Sequence, residues 1–177
     1  RQEAGAAAQA LNTAALVDLR ELAEQVLADT AEAAQAKGLD MGLSEDPGQQ
    51  ASFCVQADAQ ALSMMLRNLL DNAIKYVPEG GRVDVGWLQD EHGRALVVED
   101  SGPGIAAAER PRVLQRFVRG QGAGSMAGGS GLGLAIVQAV AERNGAQLEL
   151  DTSPQLGGLR VRIIWPHLSI ETTKKDS

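Results

Sequence analysis

The sequence predicts an α+β sandwich: a mixed, mostly antiparallel sheet covered on one face by helices, with a Gly-rich lid. Three observations predict it. Apolar residues recur at helical spacing in three long stretches separated by turn signals. Alternating apolar segments come as hairpins with helices interposed, not as regular β-α-β units. The 177 residues carry no internal repeat and no second run of core-forming elements, so one domain accounts for them.

The elements follow in order. Residues 1–14 are Ala-rich and read as a linker or the frayed end of a helix. From Val17 to Ala36 the positions Leu19, Leu22, Ala23, Val26 and Leu27 form a helical stripe, with Asp18 as N-cap and Gly38 as stop. Leu39 to Leu43 alternates as a strand, Asp46-Pro47-Gly48 is turn chemistry, and Ser52 to Val55 is a short strand. Asp58 caps a long helix that runs to Tyr76, where Pro78-Glu79-Gly80-Gly81 breaks it. Val83, Val85 and Trp87 alternate on a strand. Asp90-Glu91-His92-Gly93 turns the chain, and Ala95 to Glu99 returns antiparallel. Residues 106–130 are irregular, with a helical piece around Arg110 to Phe117. Gly131 to Asn144 is a helix stopped by Asn144-Gly145. Leu148 to Leu150 and Leu159 to Ile164 are the last strands, and residues 169–177 form a polar tail.

Composition narrows the function. Hydrophobic residues make up 44% but aromatics only 3%, so the core is built from Leu, Val, Ile and Ala. A net charge of −7 argues against non-specific nucleic-acid binding, which needs a basic surface. It leaves room for a nucleotide, which a few local cations can hold. The single cysteine, Cys54, forbids an intrachain disulfide, points to a reducing compartment and reads as a small core residue. No run of about 18 apolar residues spans a membrane. The start at Arg1, without Met or signal-peptide pattern, reads as the cut end of a longer protein.

Three motifs carry the chemistry. On the long helix, at about 100° per residue, Leu62, Met65, Leu66, Leu69, Ala73 and Tyr76 share one stripe, while Asn68, Asn72 and Lys75 share the neighbouring one. An Asn carbonyl oxygen is a neutral hard ligand suited to Mg²⁺, and a Lys ammonium meets phosphate as a point charge. Taken alone, the same helix is also an ordinary amphipathic helix with a polar shoulder. The second motif, Asp100-Ser101-Gly102-Pro103-Gly104-Ile105, places a carboxylate at a strand end between glycines that admit a ligand to the backbone. Such a carboxylate accepts from an exocyclic amine like that of adenine. A plain β-turn would use the same residue types. The third motif is Gly129-Ser130-Gly131-Leu132-Gly133-Leu134 at a helix start, where free N–H groups and the helix dipole favour phosphate. Upstream, Gly120, Gly122, Gly124 and Gly128 suit a lid that orders over phosphates. Of the four arginines before this lid, Arg119 is placed to reach phosphate, while Arg110 and Arg112 read as a solvated basic helix face.

As a set, these motifs resemble the ATP-binding catalytic domain of bacterial sensor histidine kinases, in the superfamily shared with gyrase, the large heat-shock ATPase and mismatch-repair ATPases. Asn68 to Tyr76 is similar to its N box, and Asp100 to Ile105 to its first glycine box. Arg116-Phe117-Val118-Arg119 is similar to its F box, Gly129 to Val137 to its second glycine box, and Gly157-Gly158-Leu159 to a later glycine motif. Leu114 and Val118 stand where the family often carries aromatics.

The resemblance implies ATP and Mg²⁺ as ligands. Asn72 would hold the metal, Asn68 and Lys75 the phosphates, Asp100 the adenine amine and Arg119 the phosphate end. Tyr76, Gly102, Gly104, Ile105, Gly129, Gly131, Leu132, Gly133 and Leu134 would complete the ATP site. Hydrolysing relatives carry a Glu four residues before the metal-binding Asn. Here Asn68 occupies that place and cannot act as a base, so ATP would be held without rapid hydrolysis. Residues 1–14 would be a linker or the end of a dimerisation helix, 15–168 the catalytic domain and 169–177 a tail.

By this likeness the γ-phosphate goes to a histidine on a dimerisation domain absent from this chain, and then to a response regulator receiver domain. The fragment would be monomeric, and the full-length protein a dimeric inner-membrane sensor with this domain in the cytoplasm. The alternatives are an anti-sigma-factor serine kinase of the same superfamily or a nucleotide-binding module without catalysis.

Overall fold

The computed structural model describes residues 15–45, 53–115 and 132–167. The linker at 1–14, the Asp46-Pro47-Gly48 turn, the F-box residues Arg116 to Arg119, the Gly-rich stretch through Gly131 and the polar tail lie outside these residues.

A five-stranded sheet carries the order β2-β4-β5-β7-β6, from β2 (Asp40–Leu43), β4 (Arg82–Asp90), β5 (Gly93–Asp100), β6 (Gln147–Thr152) and β7 (Leu159–Pro166). Three of its pairings are antiparallel, and β2 joins β4 in parallel. A second, two-stranded sheet pairs β1 (Ala15–Asp18) with β3 (Cys54–Ala57). Helices α1 (Leu19–Ala36), α2 (Ala59–Tyr76) and α4 (Leu132–Arg143) supply the second layer, and α3 (Arg110–Val113) follows a 3₁₀ turn at Ala107–Glu109. None of the described helices is long and apolar enough to cross a membrane.

Strand alternation decides which face is covered. Val83, Val85, Trp87, Leu96, Val98, Val161 and Ile163 join one core with Leu19, Leu22 and Val26 of α1, Leu62, Met65, Leu66, Leu69 and Leu70 of α2, and Val137 of α4. Each fully buried Leu or Val contributes about 1.5–3 kcal/mol. The intervening residues form charged cross-strand rows on the other face. Asp84, Glu99, Arg160 and Asp151 stand in register, with Arg162 and Glu149 in the next row. Arg160 pairs with Asp151 and Arg162 with Glu149, both at 2.7 Å. The predicted two-layer α+β sandwich is therefore the observed fold, with one helix-covered face.

Local chemistry sets the helix boundaries. Asp18 Oδ1 accepts from the N–H groups of Arg20 and Glu21, and Asp58 Oδ1 from those of Gln60 and Ala61. Both are therefore N-caps. Gly38, at φ 73°, turns the chain out of α1. The Lys37 ammonium donates to the carbonyls of Ile74 and Lys75 at the C-terminus of α2, where a cation also complements the helix dipole.

Four expectations are corrected. Val17 belongs to β1 rather than to the helix, because it pairs across to Val55 and both side chains are buried. The strand expected at Ser52 to Val55 lies at Cys54–Ala57 for the same reason. Cys54 is half-buried, since it alternates with inward-facing Val55. The helical piece expected from Arg110 to Phe117 ends as α-helix at Val113.

Candidate functional site

The last two turns of α2, the end of β5, the segment after it, the first turn of α4 and the start of β7 enclose a cavity of about 280 Å³. Leu69, Ala73, Val77, Val98, Ile105, Val113, Leu134, Leu159 and Val161 make its wall largely apolar. Asn72, Tyr76, Asp100 and Glu109 are the polar groups on it, with Pro103 and Gly104 completing the lining. An apolar slot with a few convergent polar groups is the usual form of a small-molecule site.

Asp100 is held rigidly. Its Oδ1 accepts from Gly102 N–H at 2.9 Å and from Leu159 N–H at 3.1 Å, and its backbone carbonyl accepts from Gly158 N–H at 3.0 Å. Two backbone donors on one carboxylate oxygen fix the plane of the group and leave Oδ2 outside these bonds. Gly158 permits this: a Cβ there would lie 2.3 Å from both the carbonyl oxygen and Oδ1 of Asp100. Gly104 takes φ 69°, which lets the chain leave β5 and return along the cavity wall.

Asn72 faces the start of α4, where a Cβ on Gly133 would come within 2.8 Å of its Nδ2. Tyr76, in the last turn of α2, is 44% exposed and stands at the cavity edge rather than in the core stripe expected for it. Of the residues singled out from the sequence, Asn72, Tyr76, Asp100, Gly104, Ile105 and Leu134 line one cavity. Gly102 and Gly133 support it from behind, and the backbone of Leu132 opens α4. Asn68, one turn before Asn72, and Lys75 are not on the cavity wall. Lys75 is exposed, with its ammonium 5.6 Å from the centre of the Tyr76 ring. Arg119, Gly129 and Gly131 lie outside the described residues.

The structure adds residues that the sequence did not single out. Val77, Glu109, Val113 and Val161 reach the cavity only through tertiary folding. Leu159 contributes its N–H to Asp100, for which the Gly157-Gly158 pair was the available signal. Arg110 is not a solvated surface residue. Its Nε donates to the Ile105 carbonyl at 3.1 Å, its Nη2 donates to Thr152 Oγ1 at 2.9 Å, and its side chain is only 22% exposed. Asp151, beside it, is held below the usual carboxylate pKa by the hydrogen bond from Arg160, then by the Thr152 N–H, with Arg110 adding a smaller attraction.

Comparison with known proteins agrees with this geometry. The family described as "Histidine kinase-, DNA gyrase B-, and HSP90-like ATPase" matches residues 57–169. The signal transduction histidine-protein kinase/phosphatase MprB of Mycolicibacterium smegmatis is 47% identical over 116 residues, covering 63% of this chain and 23% of that protein. The sensor protein QseC of Escherichia coli K12 is 34% identical over 157 residues, covering 88% of this chain and 32% of that protein. The chain thus spans a third or less of these relatives. A solved mycobacterial sensor histidine kinase MprB superposes with a TM-score of 0.67 at 32% identity, over 86% of this chain and 97% of that one. The chain belongs to the family of histidine kinase-, DNA gyrase B- and HSP90-like ATPases, in which it is the ATP-binding catalytic domain of a histidine kinase.

Proposed function

We propose that residues 15–168 bind Mg-ATP in this cavity and present its γ-phosphate to a histidine on a dimerisation domain outside this chain, in two-component signalling. A response regulator receiver domain then takes the phosphoryl group. The whole protein is a dimeric inner-membrane sensor with this domain in the cytoplasm, and residues 1–14 are a linker or the end of its dimerisation helix.

One observation carries the reading: an aspartate with one carboxylate oxygen locked by two backbone amides shares an apolar slot with Asn72. Oδ2 of Asp100 suits the adenine amine, whereas the carbonyl edge of guanine would meet a like-signed oxygen. Asn72 offers a neutral carboxamide oxygen. That fits Mg²⁺, which keeps several waters and takes its other ligands from substrate phosphates. No cluster of three or more His, Cys, Asp or Glu that could cage a metal exists among the described residues. The ion would lend charge neutralisation at the phosphates. The N-terminal N–H groups of α4 would bind the phosphate chain, as free amides at a helix start favour anions. Asn68 and Lys75 of α2 would contact the phosphates, as would Arg119, which lies outside the described residues, and Asn68 supplies no base for water, so the phosphoryl group waits for imidazole nitrogen. Transfer breaks the bond from the γ-phosphorus to the bridging oxygen and releases ADP.

Calorimetric titration tests this. The chain should bind ATP and discriminate against GTP. Asp100→Asn should weaken ATP by about 1–3 kcal/mol, the scale of a lost hydrogen bond to a charged group. GTP binding as tight as ATP, or an unchanged ATP affinity in the variant, would remove the adenine assignment.

A further inference from the structure

One wall of the cavity has no core of its own. Neither the Ala107–Glu109 turn nor α3 contains a buried residue, and neither has a side-chain cap. Yet Ile105, Glu109 and Val113 from this stretch line the cavity. Burial of apolar surface therefore contributes little to fixing the wall, and specific hydrogen bonds carry more of that task. Arg110 lies at its centre. Its guanidinium bonds the Ile105 carbonyl on one side and the Thr152 hydroxyl on the other. A planar fork with donors in fixed directions suits a brace between two elements better than a flexible ammonium does. The far end of the brace is firm: Asp151 accepts from Thr152 N–H at 2.7 Å and from Arg160 at 2.7 Å, across the β6–β7 ladder. The same corner leads into Leu159, whose N–H holds Asp100. Arg110 itself is not on the cavity wall.

We propose that Arg110 is a positioning residue for nucleotide binding. It ties the wall carrying Ile105, Glu109 and Val113 to the β6–β7 corner that also orients Asp100, without touching the ligand. The inference rests on the cavity being the nucleotide site. Both hydrogen-bond acceptors are neutral, and the Asp151 carboxylate, 4.0 Å from the guanidinium, adds a weaker attraction that solvent screens.

The test is ATP titration of the chain and of Arg110→Ala, Arg110→Lys and Thr152→Val, each in Mg²⁺ and in EDTA. Arg110→Ala should weaken binding about tenfold, the scale of one to two side-chain hydrogen bonds. The factor should be the same in both buffers, because the wall acts on the ligand and not through the ion. Thr152→Val should lose less, and should add nothing once Arg110 is gone, because the two residues share one bond. Arg110→Lys should restore part of the affinity, since an ammonium reaches one acceptor where the fork reaches two. An Arg110→Ala chain that binds like the unmodified one, a loss confined to Mg²⁺, or additive losses with Thr152→Val would each overturn the brace. If Arg110→Ala does not fold, unchanged affinity in Thr152→Val overturns it instead. Failure of the unmodified chain to bind ATP would strike the nucleotide reading itself.

Discussion

A methyl group at Gly158 has nowhere to go. It would sit 2.3 Å from two oxygens of Asp100 and 2.6 Å from Gly102 N, so the carboxylate clamp would have to open. Gly158→Ala should cost about 1–3 kcal/mol of stability, as overpacking does, together with ATP affinity. Denaturant unfolding and titration measure the two losses, and intact ATP binding would show that the clamp is dispensable. Asn72→Ala should weaken ATP far more in Mg²⁺ than in EDTA, because the lost contact acts through the ion. Equal losses would make Asn72 structural, with Gly133 its packing partner. Asp151 gives a pH test. Its folded pKa is depressed, chiefly by Arg160, so its stabilising pairs are intact at neutral pH and are lost as pH falls through that depressed value. An acid melting series should therefore fall less steeply for Asp151→Asn than for the unmodified chain. A parallel fall in both would mean the pairing does not depend on the charge. Asp100 and Asn72 were legible in the sequence because each sits in a local motif. Arg110 was not, because its two acceptors lie at Ile105 and Thr152.

Elements follow the same logic. The caps Asp18 and Asp58 were readable because a cap bonds N–H groups two and three residues on. Strand β1 was not, because Val17 is a strand residue only by virtue of Val55, whose pairing no local period reveals. Asp58 has a long-range role as well: its own N–H donates to Asn144 Oδ1 at 2.9 Å, tying the start of α2 to the end of α4. Asp58→Ala should destabilise by about 0.5–2 kcal/mol, the usual range for a lost N-cap. Asp58→Asn should retain most of that stability, since both preserve the backbone bond and only the acceptor changes. Thermal unfolding of the two variants decides, and equal losses would mean the cap oxygen is not what stabilises α2.

At the scale of the molecule, the cavity and both histidines sit at opposite ends of the sheet. His92 lies in the β4–β5 turn, and His167 follows β7 and donates its N–H to the His92 carbonyl. His92 immediately precedes the eight-residue β5, which ends at Asp100, so the two are about 26 Å apart at roughly 3.3 Å per residue. Incubation with labelled ATP should therefore leave this chain unlabelled, and acid-labile label on it alone would contradict transfer in trans. The mixed sheet and its helix-covered face were legible as a class, because hairpins and helical stripes are local, whereas the strand order β2-β4-β5-β7-β6 was not. That Asn72, Asp100 and Leu134 meet at one cavity was legible from the three motifs, whereas Val77, Glu109, Val113 and Val161 were not, since only tertiary folding brings them to its wall. The clamp on Asp100 has a consequence during synthesis. One of its donors, Leu159, follows it by 59 residues. If Asp100 reads adenine as proposed, a nascent polypeptide has no finished subsite until β7 has left the ribosome. Nucleotide cannot scaffold the earlier steps of folding; it can only stabilise the completed domain by mass action. A chain ended after Thr152 should bind no ATP at any concentration that saturates the whole one.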